Sequence, residues 1–373
     1  MNLSKMHNRI LLAVLFSVFA AGCQQGMIPP DVVVSRTPFS STIFPPTSVP
    51  TAIPTSILLP STSVPSVTPA RVSLTPTPDM YYQLTYVATC QEESQCMYAI
   101  EIGCLETENP CMGESHLLFE ITKNGQGPRP PILSYGWSPD GQQIAIEATG
   151  LGGKGDVYIG EWDGEIWINL TDSPNYEGRP VWSPDGMHIA YTANTGDPDY
   201  IVRYFSIRPD GTEVSQLLST LNFLDVGYLI WLPDGERVAF LHSDEMGYWQ
   251  IFVANQDGSN LAQVTRETKD HGLSGVSPDG QWILFTLETE MGSAISNIYL
   301  IQPDGNATIA VTDETQGYRS SPVWSPMGDW IAFTAKIDGN YDIFLIRSDG
   351  TGLVNVTQSV SDEHAPAWRV VSP

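Results

Sequence analysis

Basic residues are scarce in this chain: 17 Lys and Arg stand against 42 Asp and Glu, a formal charge of −25. Nucleic-acid binding needs a cationic stripe to neutralise phosphates. None is present, so nucleic acid is excluded as a partner. Long apolar runs are lacking as well. The stretch Ile10 to Ala21 falls short of the roughly 20 residues a membrane-spanning helix requires. Residues 81–373 show no helical period, which points to an all-β fold. Linear catalytic signatures are missing too: there is no Cys-x-x-Cys, His-Glu-x-x-His or Gly-rich phosphate loop. The nearest approach to a Gly-x-Ser-x-Gly elbow, "GLSGV" at 272–276, lacks its final Gly. No metal and no cofactor is therefore expected.

What the chain does contain is a repeat. "YGWSPDGQQIAIEAT" (135–149), "RPVWSPDGMHIAYTA" (179–193), "LIWLPDGERVAFLH" (229–242), "SGVSPDGQWILFTL" (274–287) and "SPVWSPMGDWIAFTA" (321–335) share landmarks, and "APAWRVV" (365–371) is a shortened sixth copy. The anchors Trp137, Trp182, Trp231, Val276, Trp324 and Trp368 are spaced 45, 49, 45, 48 and 44 residues apart. A fixed period of this length marks an array whose units bury their cores against one another.

Within one unit, 318–357, "SPVWS" reads as a first strand, "WIAFTA" as a second, "YDIFLIRS" as a third and "LVNVT" as a fourth. Pro-Asp-Gly turns the first strand into the second, and Asp-Gly turns the third into the fourth. Pro presets φ, Asp bonds its own backbone, and Gly accepts φ > 0. Four antiparallel strands repeated radially describe a β-propeller, with the anchor Trp as inter-blade core. The segments 84–89, 97–103 and 116–122 match strands two to four, and 365–371 supplies strand one. Five continuous blades and one assembled from both chain ends give a six-bladed propeller over 81–373 with no open edge.

Cysteines are few. Cys90, Cys96, Cys104 and Cys111 all fall in the composite blade. The third strand separates Cys96 from Cys104 by roughly 26 Å at strand rise, beyond disulfide reach. Cross-pairings join opposite ends of the blade. Cys90–Cys96 and Cys104–Cys111 remain, one for each hairpin.

The N-terminal region is of another kind. Lys5 and Arg9 precede the apolar run, which ends in "AAG" before Cys23: a secretory leader over 1–22. "AAGC" resembles a bacterial lipobox, which implies lipidation of Cys23 and attachment to the outer surface of the cell membrane; a conventional secretory signal is the alternative. Residues 23–80, dominated by Pro, Ser and Thr, read as an extended spacer.

The repeat "PVWSPDGxxIAF … IYxxxxDG … LT" resembles the TolB-type propeller repeat, also found in the propeller domains of prolyl-oligopeptidase relatives. The resemblance covers about 81–373 and implies the six-bladed fold; it carries little about function, because one fold serves many roles. Leu232 in place of Ser, Val276 in place of Trp and Met327 in place of Asp are departures from it.

Binding is expected on the face that carries the longer second-to-third strand loops and the blade connections, since the other face holds only tight turns. Glu177, His271, Arg319 and Glu363 each stand five residues before an anchor, so a ring would converge them at the channel mouth. Tyr176, Tyr318 and His364 adjoin them, with Asp270, Asp362, Asp197, Asp199, Tyr200, Asp244, Tyr248, Trp249 and Tyr341 nearby. The expected role is non-catalytic recognition of a protein, peptide or cell-wall glycan. The alternative is a lyase or glycosidase acting on polysaccharide with scattered channel residues.

Overall fold

The computed structural model describes residues 81–371 apart from 92–93, 104–109, 123–128, 150–153, 165, 195–200, 222–225, 289–295, 314–318 and 337–338. All regular elements among the described residues are β-strands, in six antiparallel sheets. The leader, the spacer and Cys23 lie outside the described residues.

Blade 1 runs Arg129–Trp137, Gln143–Thr149, Gly155–Glu161, Trp167–Asn169. Blade 2 is Glu177–Trp182, Ile189–Asn194, Val202–Ile207, Ser215–Gln216, and blade 3 is Val226–Trp231, Arg237–Ser243, Trp249–Asn255, Ala262–Gln263. Blade 4 is His271–Val276, Ile283–Glu288, Ser296–Ile301, Thr308–Ala310; blade 5 is Arg319–Trp324, Trp330–Lys336, Tyr341–Arg347, Val354–Asn355. Blade 6 is composite. Its first strand, Glu363–Val371, pairs with Tyr81–Gln91, which pairs with Ser94–Gly103. The outer partner of Ser94–Gly103 is divided between Cys111–Met112 and His116–Thr122, one short segment more than the repeat predicts.

Ring closure follows from the contacts. The first strand of every blade touches the first strand of the next, and Glu363–Val371 touches Arg129–Trp137 to complete the circle. First strands therefore line the axis, and the brief fourth strands form the rim. Second and third strands are sandwiched between blades and buried on both faces, as in Trp330–Lys336 and Tyr341–Arg347. This is why they read as near-continuous apolar runs.

The anchor tryptophans do bridge blades. Trp182 Nε1 donates to the Gly136 carbonyl at 3.1 Å, Trp231 Nε1 to Val181 at 3.3 Å, and Trp137 Nε1 to Thr85 Oγ1 at 2.9 Å. Each indole reaches into the preceding blade while its ring fills the core between them.

The Ser-Pro-Asp-Gly turns are self-contained. In blade 2, Ser183 Oγ donates to Asp185 Oδ1 at 2.6 Å and accepts from the His188 N–H at 2.9 Å. Asp185 also accepts from the Met187 N–H at 2.9 Å, and Gly186 takes φ 69°. The departures from the repeat have local compensation. Leu232 is fully buried, and Asp234 gains Arg237 Nε at 2.7 Å in place of a serine hydroxyl. Met327 is buried at the seam, where its Sδ accepts from the Tyr82 hydroxyl at 3.2 Å. Arg369 occupies the position of the turn serine in the last copy. It donates to the Gly141 carbonyl and to Gln83 Oε1, both at 2.9 Å, and lies over the Trp137 and Trp162 rings.

The Cys90–Cys96 bridge is present. Cys111 is also disulfide-bonded; Cys104, its expected partner, lies outside the described residues.

Candidate functional site

Strand direction sorts the loops onto two faces. First-to-second and third-to-fourth connections share one face, which carries the tight turns. Second-to-third loops, blade connections and the first residues of the axial strands share the other. In all six blades the pairing of first and second strands shifts register near this loop face. At the shift Arg179, Ser321 and Ala365, each followed by Pro, adopt φ 55°, 51° and 53°. These bulges bend the axial strand at the channel rim, a frequent place for such irregularities.

Glu177, His271, Arg319 and Glu363 are the first residues of their strands and occupy equivalent places around the axis, as their spacing predicts. They do not lie open to the channel mouth. Their exposures are 3%, 4%, 2% and 3%, because each side chain is received by a polar slot in the preceding blade. The second residue of that blade's third strand forms one wall: Asp156, Gln250, Asn297 and Asp342 in turn. A threonine of the blade connection forms the other. Thr171, Thr265, Thr312 and Thr357 accept through Oγ1 from the N–H of Val157, Ile251, Ile298 and Ile343 at 3.1, 2.9, 3.0 and 3.0 Å.

The four slots are built alike and filled differently. Arg319 Nη1 donates to Asn297 Oδ1 at 2.9 Å and to the Asp313 carbonyl at 3.2 Å. His271 sets Nδ1 3.0 Å from the Trp249 carbonyl and Nε2 3.1 Å from Glu267 Oε2; Gln250 donates to the carbonyls of Glu267 and Lys269. Glu177 accepts from Ser173 and Thr171 and faces Asp156. Glu363 meets Ser359, Thr357 and Asp342. Burial pushes the carboxyls of Glu177 and Glu363 above the usual range and lowers the His271 imidazole. A closed, hydrogen-bonded imidazole of this kind is not presented to a substrate in the channel.

The exposed polar and aromatic groups are different ones. Tyr176 is 45% exposed and donates its hydroxyl to Glu147. His364 is half-buried and packs on Tyr341, with ring centroids 5.1 Å apart. Asp270 and Asp362 cap the third strands of neighbouring blades, accepting from the N–H of Trp249 and Tyr341 at 2.9 Å each. Asp244 closes the one fully described second-to-third turn, accepting from Met246 and Tyr248. Tyr318, Asp197, Asp199 and Tyr200 lie outside the described residues.

Sequence reasoning passed over Glu147, Arg179 and Tyr228. Glu147 is buried in the second strand of blade 1, where it accepts from Ser134 Oγ at 2.9 Å, from the Arg179 N–H at 2.8 Å and from Tyr176. It thereby fastens the blade 1–2 connection. Its signal was available: the aligned positions in the other continuous blades are Thr192, Leu241, Thr286 and Thr334, so a carboxylate there requires a reason. Arg179 projects from its bulge over the Tyr228 ring of the next blade, 4.4 Å from the centroid, and Tyr228 is 37% exposed. Among the described residues, no three His, Cys, Asp or Glu side chains gather to hold a metal ion.

The molecule is thus a six-bladed β-propeller closed by both ends of its folded region, with a sealed turn face and a polar, aromatic loop face. No protein-family model matches the chain. It is 26% identical over 262 residues to the Tol-Pal system protein TolB of Francisella tularensis subsp. holarctica, a match covering 68% of this chain and 56% of that protein. A match to the uncharacterized peptidase YuxL of Bacillus subtilis is 27% identical over 168 residues, 44% of this chain and 23% of that one. The chain therefore spans less than two thirds of the length of these curated relatives. The crystal structure of TolB from Acinetobacter baumannii superimposes with a TM-score of 0.62 at 18% identity, over 77% of this chain and 66% of that chain. The repeat, the relatives and the fold agree on a six-bladed β-propeller that is similar to TolB homologues.

Proposed function

We propose that this propeller is a non-catalytic binding module displayed outside the cytoplasm, held to the membrane through lipidated Cys23 and carried on the 23–80 spacer. The loop face is its recognition surface, for an envelope protein, a peptide or a wall glycan. The observation that carries this reading is the asymmetry of the faces. One is spent on self-satisfied turns, whereas the other offers Arg179 stacked on half-open Tyr228, exposed Tyr176 and the Tyr341–His364 pair. Rigid aromatics beside a cation are what recognition surfaces use for contact area and orientation. Beneath them, Glu177, His271, Arg319 and Glu363 hold the frame in register. The Cys90–Cys96 disulfide supports an oxidising compartment, and TolB relatives support a protein-binding role.

A photoreactive phenylalanine analogue placed at Tyr228 or Tyr176 in the intact lipoprotein is expected to crosslink an envelope component in cells. The same group at Met187, 48% exposed on the turn face, is expected to give none. Equal crosslinking from Met187 would remove the loop-face assignment.

A further inference from the structure

Two of the inter-blade slots contain a chemical conflict that the other slots avoid. Between blades 4 and 5 an arginine meets an asparagine, and between blades 3 and 4 a histidine lies beside a glutamine. Between blades 1 and 2, however, Glu177 faces Asp156, and between blades 5 and 6 Glu363 faces Asp342. All four carboxyls are buried, at 3%, 7%, 3% and 7% exposure. Two carboxylates in one dry site cannot both stay ionised cheaply.

The surroundings decide how the conflict is resolved. Asp342 already accepts from Asn355 Nδ2 at 2.8 Å and from Asn340 Nδ2, Thr357 Oγ1 and the Ser359 N–H at 3.3 Å each. These four donors fix Asp342 in the wall of its slot. Asp156 likewise accepts from Asn169 Nδ2 at 3.1 Å. On the glutamate side one oxygen of each pair, Oε2 of Glu177 and Oε2 of Glu363, is buried with no hydrogen-bond partner. A proton on such an oxygen removes the charge from an atom to which the slot offers no donor.

We propose that Glu177 and Glu363 each keep their proton in the assembled ring, in the slots walled by Asp156 and Asp342, and release it as the pH rises. They act as two proton-gated latches that bind blade 1 to blade 2 and blade 5 to blade 6 more tightly in mild acid than at neutral pH. The charged and titratable groups facing the first latch are Lys154 and Asp156 on the blade 1 side, Asp172 in the connection and Tyr191 in blade 2. Around the second they are Asp342 of blade 5, Asp362 and His364 flanking Glu363, and Tyr86 of blade 6. Only Lys154 favours ionisation, and it stands at the exposed edge of its slot.

The sign follows from linkage. Burial raises the folded-state carboxyls above the ordinary glutamate value of 4.5, so above that pH the folded state binds protons that the unfolded chain has lost. Stability then declines as pH rises through the folded-state values. Turn aspartates work the other way: Asp185 is held below its ordinary 3.8 by the Ser183 hydroxyl, so its contribution is lost only on stronger acidification, outside this window.

The test follows thermal unfolding of the full chain from about pH 5 to about pH 8, beside Glu177→Gln, Glu363→Gln and the double variant. The amide mimics the protonated acid. The wild-type Tm is expected to fall across this range, and the double variant to lose most of that slope and melt on the order of 2–4 °C above wild type at the alkaline end. Parallel profiles would overturn the proposal. So would stabilisation of the wild type but not the double variant by calcium chloride, reversed by a chelator, since that identifies a cation site. Should the variants not fold, NMR titration of wild-type protein with isotope-labelled glutamate serves in their place. Two carboxyl resonances are expected to titrate above the ordinary glutamate range, and none doing so would also overturn the assignment.

Discussion

The two faces of this propeller are made from the ends of the same strands, yet they are assembled by opposite means. On the turn face the Ser-Pro-Asp-Gly connections bond chiefly within themselves: serine, aspartate and glycine only a few residues apart satisfy one another's backbone, as from Ser183 to His188. On the loop face many ties are made to another blade, such as Glu147 to Arg179 or Asn297 to Arg319. The first kind of structure is modular and repeats nearly unchanged. The second is bespoke at every interface, which is where a ring acquires a surface that differs from blade to blade.

The largest expected effect tests whether inter-blade ties dominate stability. Trp182→Ala removes a buried indole and its bond to Gly136, and is expected to cost about 3–5 kcal/mol in chemical denaturation. Exposed Trp162 changed to Ala should cost far less. A smaller loss at Trp182 than at Trp162 would mean that the blades do not depend on their anchors.

The next comparison sets two Pro-Asp-Gly turns in different surroundings. Gly141 and Gly235 have φ 69° and 68°. A Cβ on Gly141 would fall 1.8 Å from the Val370 carbonyl oxygen, whereas at Gly235 nothing lies within 4 Å. Gly235→Ala is expected to cost about 1 kcal/mol for the backbone alone. Gly141→Ala should cost about 3 kcal/mol, because the turn abuts the closing strand. Equal melting temperatures for the two variants would show that the seam yields freely there. The last comparison concerns the Cys90–Cys96 staple at the loop-face end of blade 6. Changing both cysteines to Ala is expected to cost about 2 kcal/mol in chemical denaturation, since the loop it closes is short.

Much of this was legible beforehand in particular residues. The spacing of the tryptophans set the number of blades, and "APAWRVV" beside "LTYVAT" announced the composite one. The equivalence of Glu177, His271, Arg319 and Glu363 was also readable, since it follows from counting back from each anchor. Their burial was not. Whether a strand-initial glutamate meets water or an aspartate depends on the second residue of a strand in the preceding blade, and no local pattern reports that pairing. Arg179 escaped notice for the same reason: a bulge, invisible in the strand's composition, brings it over Tyr228.

By itself the sequence determined the repeat, the strand order, the turn chemistry and the way the circle closes. All of these depend on residues close together along the chain or related by a constant period. Only the tertiary structure decided which polar side chains are walled in between blades and which reach the channel rim. That outcome depends on what the neighbouring blade places opposite them, and desolvation acts on positions in space rather than along the chain.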